Sequence, residues 1–241
     1  MITAAMLTSS PVSDFNEANV LYEKGDYENS IKLFEKIISG GFENGEIYYN
    51  LGNAYYKAGD IVNCILNYER ALKFMPGDQD LTENLKIARL SLIDKTEDPE
   101  DVPFFTLYSN FRNGYNIYSV SKMFYLMLII AAILISLYIL LKNTLLNKLL
   151  MALSAISVLI FLLYSYAYYD ISAINSKRFG VIIEDKVSVL SSPDENVNSK
   201  ELFYLHRGTK AQITRSNEQW FEISLDEEKK GWIKKGSLIE I

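Results

Sequence analysis

The residues that most often do chemistry in proteins are scarce in this chain. Its 241 residues include one cysteine, Cys64, and one histidine, His206. A lone Cys forms no intramolecular disulfide, and it excludes a zinc site built on cysteines. A single His removes the Ser-His-Asp, Cys-His and His-rich metal arrangements, unless His206 acts alone. Because the sequence also has no phosphate-binding loop or nucleophile–base pair, it predicts a protein that is not an enzyme and binds no metal or cofactor.

Two uncharged apolar runs, residues 123–141 and 149–169, lie in the middle of the chain. An α-helix rises about 1.5 Å per residue, so each run can cross a hydrocarbon core of roughly 30 Å. The linker 142–148 allows only a hairpin turn, which predicts a two-pass membrane protein with both ends on the same side. The alternative is a buried hairpin of a soluble domain, but the flanking regions are too small to bury two such runs. The lack of ionisable residues in both runs argues against a transporter.

Charge and aromatic residues bear on the orientation of this hairpin. Tyrosines and phenylalanines precede the first run and close the second, as in an interfacial belt. The loop contains Lys142 and Lys148, and positive charge favours the cytoplasmic side. We therefore predict that the loop is cytoplasmic and that both soluble regions lie on the other side.

The net charge bears on nucleic-acid binding, and the N terminus bears on whether the chain has a signal peptide. The net charge is −6, and no region offers the basic surface that nucleic-acid phosphates require. Residues 1–13 are small and apolar but lack the basic start of a secretory signal. We interpret them as the remnant of a signal peptide, and the alternative is a frayed terminus.

An internal repeat with a spacing of 34 residues lies within residues 14–92. The matching pairs are Asn19 and Asn53, Tyr22 and Tyr56, Gly25 and Gly59, Asp26 and Asp60, Ile31 and Ile65, and Phe34 and Tyr68. The pattern resembles the tetratricopeptide repeat, which implies pairs of antiparallel helices with small residues where the helices cross. Pro76 ends the second repeat, and residues 78–92 predict an amphipathic helix that caps the array.

The resemblance to tetratricopeptide repeats implies a concave groove that binds a peptide or a helix of a partner protein. The predicted groove residues are Asn19, Tyr22, Asn53, Tyr56 and Lys57. The alternative is that these are ordinary surface residues of the repeats. Residues 93–122 are predicted to be a juxtamembrane linker, whose aromatic half either lies on the membrane interface or covers the repeats.

The period of apolar residues changes to two in residues 180–241, which predicts seven short strands and a small barrel. The segment resembles the bacterial SH3-like domain through Val187–Pro193, Leu205–Thr209, Gln219–Ile223 and Gly231–Ile233. Trp220 and Trp232 are its largest side chains. They form either a ligand face for a wall peptide or peptidoglycan fragment, or part of the barrel core.

The order of these parts resembles the BatE-type family of the Bacteroides aerotolerance operon, and residues 84–95 are similar to that family's pre-membrane helix. The expected fold is a multi-domain membrane protein with all-α tetratricopeptide repeats, a two-helix transmembrane hairpin and a small all-β SH3-like barrel. The resemblance implies a bacterial inner-membrane scaffold with periplasmic soluble domains. Its expected partners are the bilayer, membrane proteins with von Willebrand factor A domains and a MoxR-type ATPase. The alternative function is a cell-wall sensor that binds peptidoglycan through the barrel.

Overall fold

The computed structural model describes residues 10–94, 117–141, 144–194, 199–226 and 228–241. The chain forms two compact units. One unit joins the N-terminal helices to the C-terminal strands, and the other is a pair of long helices. The interpretation of residues 1–9 as part of a signal remnant, and the two alternatives for the aromatic residues of the linker up to residue 116, lie outside the described residues.

Five helices form the N-terminal part of the first unit. They are α1 (Pro11–Glu23), α2 (Tyr27–Ser39), α3 (Gly45–Ala58), α4 (Ile61–Phe74) and α5 (Gln79–Arg89). Each begins after a residue whose side-chain oxygen accepts a hydrogen bond from a backbone N–H of the first turn. These N-cap residues are Ser10, Asp26, Asn44, Asp60 and Asp78. Because Ser10 caps α1 and Pro11 follows it, α1 begins inside the segment that we assigned to a signal remnant.

The helices pack as two antiparallel pairs, α1 with α2 and α3 with α4. The turns within the pairs contain Gly25 and Gly59, whose φ angles of 81° and 85° favour glycine. Gly52 lies where α3 crosses α4, and a Cβ placed there would be 2.5 Å from Cδ1 of Tyr68. The helices therefore approach closely only because position 52 has no side chain.

Among the described residues, seven strands form the C-terminal part of the first unit. They are β1 (Arg178–Ile182), β2 (Lys186–Leu190), β3 (Glu201–His206), β4 (Lys210–Ser216), β5 (Trp220–Ser224), β6 (Lys230–Lys234) and β7 (Leu238–Glu240). They make one sheet in the order β3-β2-β6-β5-β4-β1-β7, and every neighbouring pair is antiparallel. Each apolar cluster of the sequence falls on one of these strands or directly after it. The closed SH3-like barrel stays a prediction.

The strands β1 and β7 contribute apolar side chains to both faces of the sheet. Ile182 and Leu238 belong to the core of the sheet, whereas Val181 and Ile239 belong to a second cluster that they share with α4 and α5. Side chains alternate between the two faces of a strand, so each of these strands serves two cores. A strand that is covered on both sides has a continuous apolar run, as residues 181–183 do.

The second unit consists of α6 (Ile117–Leu140) and α7 (Thr144–Asn175). Both helices are long and apolar enough to cross a membrane. They pack against each other through Phe124 and Phe161, with ring centroids 4.8 Å apart, and the Ser157 hydroxyl donates a hydrogen bond to the Met127 carbonyl. The helices extend beyond the predicted apolar runs, and α7 includes residues 144–148, which we assigned to the loop. Within that stretch Lys148 is exposed, and a lysine near a helix end can extend its ammonium group toward polar surroundings.

Candidate functional site

The first helix of each pair and α5 share a row of asparagines. Asn50 on α3 donates a hydrogen bond from Nδ2 to Oδ1 of Asn19 on α1, at 3.1 Å. One step along the array, Asn84 on α5 donates from Nδ2 to Oη of Tyr49 on α3, at 2.9 Å. These hydrogen bonds join α1 to α3 and α3 to α5 through polar side chains, in addition to the apolar contacts of the helices. The residues that form this arrangement, which we call the inner row, are Asn19, Asn50, Asn53, Asn84 and Tyr49.

The predicted groove residue Asn53 is held in place from the second helix of its own pair. Tyr68 on α4 donates from its hydroxyl to Oδ1 of Asn53 at 2.6 Å. Burial, with neighbouring Cys64 and tyrosines, raises the pKa of Tyr68, so its phenol stays a donor at neutral pH. Asn19 and Asn53 accept these hydrogen bonds through their carbonyl oxygens, and each amide also has an NH2 group that can act as a donor.

Tyr22 lies next to the inner row. Burial, followed by the proximity of Tyr27 and Tyr49, raises its pKa, and its ring centroid is 5.5 Å from that of Tyr27. It therefore stays neutral and offers an aromatic surface with one hydroxyl.

The remaining predicted groove residues, Tyr56 and Lys57, are exposed at the C-terminal end of α3. Tyr56 leaves 38% of its surface accessible. The structure therefore places one part of the predicted set in a fixed polar row and the other part on open surface beside it. A large exposed tyrosine is a typical contact residue of protein interfaces.

The sequence analysis missed Asn50, Asn84 and Tyr49. A signal for the two asparagines was present, since Asn16, Asn50 and Asn84 follow the same spacing of 34 residues as the glycines. No sequence signal pairs Tyr49 with Asn84, because that contact depends on how far α5 rotates against α3.

Cys64 and His206, the single cysteine and histidine of the sequence, are engaged in packing and in hydrogen bonds, respectively. Cys64 is fully buried, and burial raises the pKa of its thiol to about 12. Nδ1 of the His206 ring lies 2.8 Å from Oδ1 of Asp94. In the described parts of the chain, no three His, Cys, Asp or Glu side chains are grouped to hold a metal ion.

The two tryptophans differ in burial. Trp220 is 7% exposed and belongs largely to the interior, whereas Trp232 is half-buried. A shallow cavity opens beside Trp220, and its wall includes two lysines. The lining residues are Pro193, Asp194, Gln219, Trp220, Lys234, Lys235 and Gly236.

The comparison with protein families identifies the helical part. Family models of the tetratricopeptide repeat match residues 15–39 and residues 45–78. The search of curated proteins finds no match. Tetratricopeptide repeats are therefore present in the N-terminal part, as the 34-residue spacing predicted. They are a non-catalytic module for protein–protein interaction, which indicates a scaffold.

Proposed function

We propose that the protein is a non-catalytic, membrane-anchored scaffold whose repeats hold a protein partner along the inner row. The observation that supports this most directly is the row itself. Two asparagines, Asn19 and Asn53, are fixed through their oxygens by Asn50 and Tyr68. Fixed amide groups lose little side-chain entropy when they bind a partner, which favours affinity. The exposed Tyr56 and Lys57 extend this surface.

The finer proposal follows the resemblance to the BatE-type family. We propose on this basis that the scaffold belongs to an aerotolerance-type complex of a bacterial envelope. The partners are membrane proteins with von Willebrand factor A domains and a MoxR-type ATPase. The proposed place is the inner membrane, with α6 and α7 as two membrane passes and the soluble unit in the periplasm. Protease treatment of spheroplasts would test the orientation, since the soluble unit should be degraded and full protection would reverse it.

Capture from native membranes tests the groove. Asn19→Asp with Asn53→Asp keeps the oxygens that accept from Asn50 and Tyr68 but replaces both NH2 donors. We expect the tagged full-length double variant, in mild detergent, to lose most of the von Willebrand factor A proteins that the parent chain recovers. Asn44→Asp matches the charge of each single variant, Asn19→Asp or Asn53→Asp, because Asp also caps α3 and adds one negative charge away from the row. Equal recovery by the double variant and the parent would exclude the inner row as the binding site.

A second candidate function rests on the cavity beside Trp220. Lys234 and Lys235 in the wall of this cavity suit the carboxylates of a wall fragment, and the exposed edge of Trp220 lies beside them. The full-length protein in detergent should then pellet with purified sacculi, and Lys234→Ala with Lys235→Ala should reduce the pelleted fraction. No pelleting of the parent chain would discard this candidate and leave the scaffold proposal untouched.

A further inference from the structure

The helix α5 has the features of the first helix of a third repeat. At the spacing of 34 residues, Leu51 corresponds to Leu85 and Ala54 corresponds to Ala88. Both pairs are buried. In a complete repeat a second helix would follow and cover this apolar face. In the described residues 90–94, which follow α5, the chain is not helical. The cluster that buries Leu85 and Ala88 includes residues of another part of the chain.

The outer face of α4 also differs from the corresponding face of α2. In α2 this face is charged and exposed, as expected for the convex side of a repeat. In α4 the corresponding positions are buried, and two of them are aliphatic. The corresponding residues are Glu28 and Val62, Lys32 and Leu66, and Glu35 and Glu69. Another part of the protein therefore covers the outer face of α4, and the corresponding face of α2 is not covered.

The covering element is the edge of the C-terminal sheet. Val181 on β1 is fully buried in one cluster with Leu81, Leu85 and Ala88 of α5. Ile183, Ile239 and Ile241 pack against the same cluster. Removing these aliphatic side chains from water supplies the main favourable free energy of the contact.

Polar contacts fix the position of the sheet on the helices. The Glu69 side chain is 2% exposed and accepts from Arg89 of α5 and, at 2.6 Å, from Lys210 of β4. A carboxylate buried this deeply is costly without compensating cations, and this arrangement supplies two. Beyond α5, Asp94 accepts from the His206 backbone N–H at 2.6 Å and from the Thr209 hydroxyl at 2.7 Å.

We infer that the C-terminal β domain closes the repeat array of its own chain, in the place where a second helix of a third repeat would pack. The closing interface consists of the outer face of α4, the apolar face of α5, the edge strands β1 and β7, and the β3–β4 turn. It is a permanent contact within one cooperative unit, and the β domain is not a separate module on a tether.

This inference has two functional consequences and does not depend on the inner row. The outer face of the second repeat is closed to partners, which leaves the inner row and the exposed outer face of α2 for docking. Both halves of the unit must also fold on the same side of any membrane that α6 and α7 cross, since the interface joins residues from both ends of the chain.

Hydrogen exchange of the full-length protein in detergent micelles tests the closing interface. Leu66→Lys gives α4 the residue that α2 has at the corresponding exposed position. We expect amide exchange in β1, β7 and α5 to become faster by about tenfold or more, because a lysine cannot be buried there without a partner. Lys32→Leu makes the reverse change on the exposed face of α2 and should leave β1 and β7 unchanged.

Lys210→Met provides a second variant in case Leu66→Lys does not fold. It is made in the β domain, and Lys210 is only partly buried, so the strands should form normally. If the interface exists, exchange in α4 and α5 should become faster although the substitution lies in β4. Unchanged exchange in α4 and α5 for a folded Lys210→Met, or unchanged exchange in β1 and β7 for a folded Leu66→Lys, would overturn the inference.

Discussion

Lys210 of β4 and Glu69 of α4 form an ion pair of 2.6 Å although 141 residues separate them in the chain. Both long apolar helices lie between the two residues in sequence. Arg89 of α5 binds the second oxygen of the same carboxylate. The buried Glu69 side chain therefore connects α4 of the second repeat to α5 and to the sheet.

Removing both cations from Glu69 should be strongly destabilising. Arg89→Met with Lys210→Met leaves a buried carboxylate without a partner, which costs about 3–5 kcal/mol of unfolding free energy. Urea unfolding of the full chain in detergent, followed by tryptophan fluorescence, measures this loss, since both tryptophans lie in the β domain.

The triple variant with Glu69→Met is the control for that measurement. A buried ion pair replaced by apolar groups of similar volume is often close to neutral. We therefore expect the triple variant to recover most of the lost stability. A triple variant as unstable as the double variant would show that packing of the long side chains, and not the unpaired charge, accounts for the loss.

Gly52→Ala should destabilise the second repeat. A Cβ at this position would be 2.5 Å from the Tyr68 ring, and overpacking costs about 1–3 kcal/mol. Alanine is favoured over glycine inside a helix by about 1 kcal/mol, so the net loss should be about 2 kcal/mol or less. In a Tyr68→Leu background the same substitution should be neutral or stabilising. A thermal-melt double-mutant cycle with no coupling would contradict the close contact.

Cys64 should resist alkylation in the folded protein. Burial raises the pKa of its thiol to about 12, whereas an unfolded thiol ionises near 8.5. At pH 8 the reactive thiolate should therefore be about 1,000-fold less populated in the folded state. Iodoacetamide labelling read by mass spectrometry should be slow until urea unfolds the chain, and rapid native labelling would contradict the burial. Since the folded pKa is raised, the stability linked to this thiol is present below pH 8.5 and is lost as the pH rises toward 12.

Asp94→Asn should lower the free energy of unfolding by an amount that depends on pH. Burial raises the pKa of Asp94, but hydrogen bonds from the His206 ring, the His206 backbone and the Thr209 hydroxyl outweigh it and hold the pKa below its usual value. A lowered carboxyl pKa gives stability that is present above the unfolded pKa, near 3.9, and that is lost as the pH falls through the folded pKa. We expect a loss of about 1–2 kcal/mol at pH 7, shrinking at the lowest pH. Asp185→Asn, on a carboxylate whose side chain is 87% exposed, should show little effect at any pH, and equal urea midpoints for both variants would contradict the role of Asp94.

Local patterns predicted most of the elements. The spacing of glycines, the apolar stripe of residues 81–88 and the two-residue period after residue 180 each reflect a nearest-neighbour constraint, and the corresponding helices and strands are present. The candidate site was predicted only in part. Asn19 and Asn53 followed from the repeat, but their bonds to Asn50 and Tyr68 depend on how the helices rotate against each other.

The sequence by itself determined the tetratricopeptide helices, the seven short strands and two helices apolar enough for a membrane, because periodicity and run length are properties of neighbouring residues. Only the tertiary structure decided that the sheet packs on α4 and α5, that His206 binds Asp94, and that Glu69 has two cationic partners. The aliphatic outer face of α4 and the unbroken run at residues 181–183 indicate that something covers them. They do not indicate what covers them, because the hydrophobic effect is non-directional and any apolar surface of matching shape can cover these residues. The match between these two surfaces is set by shape and by the buried charges, which become neighbours only in the folded chain.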